Sequence, residues 1–597
     1  MEVTQAGPRI RLTDNRASRA RMKRAAEPAS GTPETRGQRA AMWLIWIVFA
    51  SLSMTVLGWV AWQVLVNGLN WSGASGFFLD SMQYLAWVRE MSDNFLSANM
   101  FSLASPIRNY WNPALALSGL LTTLGVPPDW SYSLWIPVGI VMLIWSVTKY
   151  VRSITGGGWT AVTAVALALL FTWPASSIFG DGLSQAAVDA LDFSTWDSWP
   201  VKWSWGFPLS AVAVSLLCIG LVLYDRERTS ERKFAPLLAL CALLISWLQP
   251  WQGGIFLGLI VLGELIAPRI EGNPIKQSLR ARLPLLTTTV VAGAVPLAYY
   301  VLLGLFDYNW SQNGLQANFY CRGVQWWTPL VVMGPLLIAA LTAVRQRPKR
   351  FRDLLVRIWP PLAIAEMYVI AITGVGNTSP HALKGVTIPL AILAAQGLAP
   401  WFRKLSPTIG GALGLILVLL LIVPGSWSTT RGEMKTMDAS SGHFISENDL
   451  RAVEFLASNP VKGGVFSSVT IGSMVPWRTG RQTWLGHETW TPRFKARMVF
   501  AEYTMYGALP RTAKPIPTDR FVGWTGARFV LDSCETKAAR FFYEQETAKQ
   551  SKAPIRPFES QLAPITESLH RFGCATVYVL KPGIKPSPES LERLRLN

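Results

Sequence analysis

Between residues 42 and 424 the chain returns repeatedly to apolar runs, near 42–66, 130–148, 157–175, 206–224, 235–248, 253–267, 285–304, 327–344, 358–374, 385–400 and 408–424. A helix needs about 20 apolar residues to cross the hydrocarbon core of a bilayer, and most of these runs approach or exceed that length. A soluble globule has shorter apolar stretches, broken by turns. Half of the 597 residues are hydrophobic, 28 are Trp, and the mean hydropathy is +0.27. The expected fold class is a polytopic α-helical membrane protein, with the lipid bilayer as its first partner.

The net charge of +19 raises the question of nucleic acid. Its distribution answers it. Arg and Lys cluster between apolar runs, at 149–152, 225–233, 269–282, 345–357 and 403–404, as cytoplasmic loops do under the positive-inside rule. No nucleic-acid partner is expected. All these clusters share one side only if the apolar piece 114–126, ALALSGLLTTLGV, does not cross. At about 13 residues, ending in Pro127 and Pro128, it is short for a span and reads as a re-entrant or interfacial helix. That leaves about 11 transmembrane helices, with the N-terminus cytoplasmic and the C-terminus outside. The shortest runs, 235–248 and 253–267, flank QPWQGG and also admit a broken hairpin, which leaves the orientation unchanged.

Residues 1–41 are polar and rich in Arg and Lys, including Arg36 and Arg39, and read as a disordered basic cytoplasmic tail. The multi-span region covers 42–424, with outward loops at 67–129 and at the acidic, Trp-rich 176–205. Residues 425–597 change character: SENDLRAVEFLASN has a polar helical pattern, whereas GGVFSSVTIG, ARFVLDS and CATVYVL read as strands. This is expected to be an extracytoplasmic soluble domain, α/β or α+β, of roughly 150 residues. The five cysteines contain no CxxC pair, and Cys218 and Cys241 lie inside apolar runs. Cys534 and Cys574 both flank strand-like runs in an oxidising compartment, which fits a disulfide and two buried thiols equally well.

The stretch SGFFLDSMQYLAWVREM at 75–91 follows directly on the first span and holds Asp80 among Phe77, Phe78, Leu79, Met82, Tyr84, Leu85 and Trp87. A helix starting near Asp80 puts Tyr84 and Trp87 on the same face, at i+4 and i+7. Partial desolvation there raises the basicity of a carboxylate and suits a general base, while a helix N-terminus opposes that shift. A lone interfacial aspartate resting in water is the plainer alternative.

An acid in the first outward loop, about ten further crossings and an outward soluble domain resemble the GT-C superfamily of integral-membrane glycosyltransferases, in particular bacterial, actinobacterial-like members. DSMQYLAWVRE, PIRNYWNPALALSGLL, HALKGVTIPLAILAAQGL at 381–398 and VPWRTGRQTWLGHETWTPRF at 475–494 carry the resemblance. It implies transfer of a hexosyl or pentosyl group from a polyprenyl-phosphate sugar donor to an envelope glycan, lipid or protein acceptor, at the outer face of a bacterial plasma membrane. Asp80 would be the base. Many members pair two acids in this loop, whereas Asp80 is followed by Ser81. No metal ligand is assigned and the base is expected to work without one; a divalent cation, Mg or Mn, would need a second carboxylate such as Asp181 or Asp197.

A phosphate donor calls for cations at the outer interface, where positive residues are otherwise scarce. The candidates are Lys384, Arg108, His381, Arg322 and Lys202. A lysine snorkelling to lipid headgroups is the plainer reading of Lys384, and pairing with Glu90 or Asp93 that of Arg108. Tyr84, Trp87, Trp484, His487 and Glu488 are the candidates for acceptor or sugar contact, Trp484 and Trp490 through their ring faces. The sequence HETWT is not HExxH, and no GxSxG accompanies it, so a hydrolase is not indicated. A transporter or flippase of lipid-linked precursors is the alternative function. The near absence of charge within the spans, Glu264 and Glu366 excepted, and the lack of a duplicated half count against it.

Overall fold

Helix formation begins ahead of the first apolar run. Thr35 accepts from the Gln38 backbone N–H while the Gln38 side chain accepts from the Thr35 N–H, a capping box that starts the helix Arg36–Asn67. Arg36 and Arg39, assigned above to the tail, are therefore helical. The computed structural model describes residues 34–583 except 104–106, 231–233, 322–326, 374–376, 403–406, 439, 507–516 and 551–556. The rest of the basic tail and Arg322 lie outside the described residues.

Among the described residues, 8 helices are long and apolar enough to cross a membrane: Arg36–Asn67, Pro128–Thr155, Pro208–Thr229, Pro250–Glu271, Ile275–Phe306, Phe351–Thr373, Ser379–Trp401 and Ile409–Thr436. The chain is a multi-pass membrane protein. Three runs read as crossings form shorter helices. The run 157–175 is helical over Gly158–Leu170, and 235–248 over Pro236–Leu248; 327–344 divides into Thr328–Val332 and Gly334–Val344. Gly158–Leu170 is buried without a break from Ala161 to Leu170, the pattern of a helix surrounded by others. The run 253–267, grouped above with the shortest, belongs to a 22-residue helix, because Pro250 starts it at N1 and it continues through Arg269 to Glu271. The basic segment 269–282 is mostly helical for the same reason. Long cationic side chains at helix ends reach water without ending the helix.

The segments read above as outward loops are folded too. Phe78–Asp93 and Pro113–Thr123 pack on each other, and 176–205 forms the helices Ala175–Phe179, Gln185–Ser198 and Pro200–Gly206. Past the last long helix, strand β2 (Phe444–Ile445) pairs antiparallel with β1 (Asn70–Trp71), which tethers the tail to the loop after the first span. The tail then forms a four-stranded mixed sheet in the order β3 (Val465–Phe466), β4 (Phe529–Asp532), β6 (Ala575–Leu580), β5 (Thr566–Phe572). ARFVLDS and CATVYVL supply its two central strands. GGVFSSVTIG forms only the short β3, because Ser468 opens the helix Val469–Thr479. Strand β5 has a half-polar pattern and was not anticipated. A disulfide joins Cys534 to Cys574, with Cα atoms 5.0 Å apart.

Candidate active site

Asp80 sits at the third position of Phe78–Asp93, in the helix's first turn. Three contacts hold that turn in place. Ser72 N–H donates to the His443 carbonyl at 2.9 Å, Gly76 N–H donates to the Trp205 carbonyl at 2.6 Å, and Ser75 N–H donates to Ser81 Oγ at 3.2 Å. The approach to Trp205 and Gly206 requires small residues. A Cβ on Gly206 would lie 2.0 Å from the Phe77 ring, and one on Gly76 2.8 Å from Trp205 Cβ. The helix start thus presents Asp80 with its side chain 36% exposed.

His487 faces it. Its Nε2 lies 3.7 Å from Asp80 Oδ1, and the His487 side chain is 3% exposed. Nδ1 receives the Thr489 backbone N–H at 3.1 Å and lies 3.2 Å from Thr489 Oγ1, which itself accepts from Asn313 Nδ2 at 2.9 Å. A backbone amide can only donate, so Nδ1 is the acceptor and the ring proton of neutral His487 belongs on Nε2, toward Asp80. That N–H has no hydrogen-bond partner among the described residues.

A second cluster adjoins the first. Asp197, near the end of Gln185–Ser198, takes the His381 ring at Nδ1 (2.9 and 3.1 Å to its two oxygens) and lies 3.5 Å from Lys384 Nζ. Lys384 also donates to Ser210 Oγ at 3.3 Å, stands over the Phe207 ring and has no exposed surface. Burial pushes the Asp197 carboxyl up, but His381 and Lys384 together outweigh it and hold the group below its ordinary value. The backbone builds this corner with an unusual turn. Thr378 has φ 46°, Ser379–Leu383 is a 3-10 helix opened by Pro380, and Gly385 has φ 90° with Trp359 and Val214 atoms 3.2 Å from where a Cβ would stand. Gln252 Nε2 donates to the His381 carbonyl at 2.9 Å and pins the turn to Pro250–Glu271. Phe77, three residues before Asp80, packs on Phe207 with ring centroids 4.9 Å apart, and Lys384 Nζ stands 4.2 Å over that same ring, so the two clusters share a wall.

The remaining candidates are distributed around these two clusters. Tyr84 stacks on Tyr132 with centroids 5.2 Å apart, and burial, with the Asp80 charge, raises its hydroxyl well above the ordinary value. Trp87 lies one turn further along. Lys202 is buried against Glu433 at 3.0 Å with its ammonium 3.8 Å above the Trp196 ring, and Arg108 pairs with Glu90 at 3.1 Å. Trp484 packs against Phe466 and Phe521 in the tail. Glu488 is half-buried beside His487. Arg481, from the same stretch, donates to the carbonyls of Leu456, Asn459, Val461 and Gly463 and so closes the end of Glu447–Ser458. Asp181 is exposed, both oxygens of Asp197 face His381, and among the described residues no group of three or more His, Cys, Asp or Glu stands together as a metal site. No local pattern in the sequence marked Thr489, Asn313, Tyr132 or Ser210.

No protein-family model and no curated protein sequence matches the chain. Solved structures do resemble it. The oligosaccharyltransferase of Archaeoglobus fulgidus, in its apo form, is similar over 84% of this chain and 70% of its own, at 12% identity and TM-score 0.47. ArnT from Cupriavidus metallidurans, bound to undecaprenyl phosphate, is similar over 91% of this chain and 99% of its own, at 12% identity and TM-score 0.44.

Proposed function

We propose that the protein is a membrane glycosyltransferase that moves a sugar from a polyprenyl-phosphate donor to a cell-envelope acceptor at the outer face of a bacterial plasma membrane. The observation that carries this reading is the placement of Asp80, partly open to water, beside the His381–Asp197–Lys384 cluster. Phe77, three residues before Asp80, packs on Phe207 with ring centroids 4.9 Å apart, and Lys384 Nζ stands 4.2 Å over that same ring. Asp80 takes the proton of the acceptor hydroxyl as its oxygen attacks the anomeric carbon from the face opposite the phosphate. The bond from that carbon to the phosphate oxygen breaks, and the electron pair leaves with the polyprenyl phosphate. His381 has Nδ1 committed to Asp197, and its Nε2 has no partner among the described residues. Protonated there, it would donate to the leaving phosphate, with the Lys384 charge behind it. Recognition of the phosphate is proposed for His381, through its uncommitted Nε2, with Lys384 supplying charge behind it; Lys202 and Arg108 are, like Lys384, already paired with carboxylates. The Cys534–Cys574 disulfide supports an oxidising, extracytoplasmic side for the tail.

The test is envelope glycan and glycolipid composition in a strain lacking the gene, complemented with the wild-type chain. A glycan feature that disappears and returns supports transfer; an unchanged envelope rejects it. Because both oxygens of Asp197 are engaged, Asp80 is proposed to act without a metal. Initial rates in EDTA-washed membranes should equal those in untreated membranes, and a loss restored by Mg or Mn would refute metal independence. His487 supplies a fixed donor to Asp80 or to the acceptor oxygen. His487→Ala should therefore cost about 1.5–3 kcal/mol, on the order of ten- to a hundredfold in rate. His487→Gln, which keeps an N–H, should stay within about tenfold of wild type. Equal loss in both variants would make the imidazole itself the reacting base.

A further inference from the structure

The helix Tyr308–Cys321 follows the span Ile275–Phe306 and touches three parts of the chain that are far apart in sequence. Asp307 starts it: Oδ1 accepts from the Trp310 backbone N–H at 2.9 Å, and Oδ2 accepts from Asn109 Nδ2 at 2.9 Å. Asn313 and Gln316, three residues apart and so on one helix face, then take hold of the tail. Gln316 Nε2 donates to the carbonyls of Thr489 and Thr491 at 3.2 and 3.1 Å, its Oε1 accepts from the Phe494 N–H at 2.9 Å, and Asn313 Nδ2 donates to Thr489 Oγ1 at 2.9 Å. The other arm of Asn313 serves a different element: Oδ1 accepts from Asn377 Nδ2.

Both ends of this link are in the candidate site. Thr489 holds His487 through its backbone N–H, and because Thr489 Oγ1 accepts from Asn313, its own proton is free to turn to His487 Nδ1, which keeps the Nε2 proton toward Asp80. Asn377 begins the turn that carries His381 and Lys384. Its carbonyl accepts from Trp251 Nε1 at 3.0 Å, and the Trp251 ring meets the His381 ring edge-on with centroids 4.9 Å apart. The next residue, Thr378, has φ 46°, a conformation that costs a β-branched residue energy and persists where its neighbours hold it. Asn313 is 2% exposed, and only a side chain with one donor arm and one acceptor arm serves both ends. Neither element needs that link for its own fold: Gln316 already docks the tail segment, and Trp251 and Gln252 already grip the turn.

We propose that Asn313 is a positioning residue that holds the two halves of the site together, the His487 side that serves Asp80 and the turn that presents His381 to a phosphate. The proposal deepens the transferase reading above and rests on it. Loss of Asn313 weakens phosphate binding and slows transfer together, whereas breaking one arm affects one half alone.

The full-length protein would be compared with three variants. Asn313→Leu removes both arms in a side chain of similar shape, Asn377→Ala removes the arm to the turn, and Thr489→Val removes the arm to His487 while keeping the backbone N–H. Farnesyl phosphate, a short polyprenyl phosphate, is the binding probe for protein in nanodiscs, and initial transfer rates are read in membranes with equal amounts of each chain. Farnesyl phosphate should bind about three- to tenfold more weakly to Asn313→Leu and Asn377→Ala, and as wild type to Thr489→Val. Transfer should fall about three- to tenfold in Thr489→Val and at least as far in Asn313→Leu. Added to His487→Ala, Thr489→Val should cause no further loss. Asn313→Leu binding farnesyl phosphate as wild type, or a rate that falls only with the amount of monodisperse protein, would make Asn313 structural and overturn the proposal while leaving the transferase reading. If Asn313→Leu does not accumulate, the single-arm variants decide, and equal loss of binding and rate in both would overturn it. Transfer by a wild-type chain that does not bind farnesyl phosphate would overturn the proposal alone; absence of transfer would remove the transferase reading and the proposal with it.

Discussion

Asp80→Asn is expected to slow transfer by roughly two to four orders of magnitude, the range that general-base catalysis contributes, with little change in protein abundance. Asparagine has nearly the same size and shape, so the contacts of Ser72, Gly76 and Ser81 that hold the turn persist. What is lost to folding is the attraction between a first-turn carboxylate and the helix N-terminus, about 0.3–1 kcal/mol at a partly exposed site. Asp80→Glu keeps the charge but moves the oxygens by one methylene, and misplacement on that scale costs on the order of a hundredfold. Initial rates in membranes carrying equal amounts of each chain decide the matter. Asp80→Asn within about tenfold of wild type would show that the carboxylate is not the base and would return the transporter reading to first place.

Asp80 was legible because its cause is local: an acid directly after a span, in aromatic surroundings, stands out in one sequence window. Lys384 and His381 were legible because positive charge at that end of a span runs against the orientation rule. Asp197 was not. It is one of several acids in 176–205, alongside Asp181, Asp189 and Asp192, and only the folded chain shows that it meets residues nearly two hundred positions later. The same limit applies to His487, whose tautomer is set by Thr489 and Asn313, and to β1, whose partner β2 lies at the other end of the membrane region. Residue type alone does not separate roles either: Arg481 closes a helix and Trp484 packs against Phe466 and Phe521 in the tail. Span lengths were blurred where a break falls inside an apolar run, as at Phe171–Pro174 within 157–175 and Met333–Gly334 within 327–344, because hydropathy averages over a break that backbone geometry does not.

The cluster around Asp197 permits a separation of folding from chemistry. Asp197→Asn keeps a hydrogen bond to His381 but leaves the Lys384 ammonium, which has no exposed surface, without a countercharge. Breaking a buried pair from one side costs about 3–5 kcal/mol, a large part of a typical stability of about 5–15 kcal/mol. Little folded protein should accumulate, read as a lost monodisperse peak and a lowered Tm. Lys384→Met in the same chain removes the stranded charge and fills its volume with apolar atoms, so Asp197→Asn with Lys384→Met should regain most of the stability. Transfer should not return, because the cation placed behind the leaving phosphate is gone. If the double variant recovers both fold and rate, Lys384 only neutralises Asp197, and the charge opposite the phosphate must come from His381 alone.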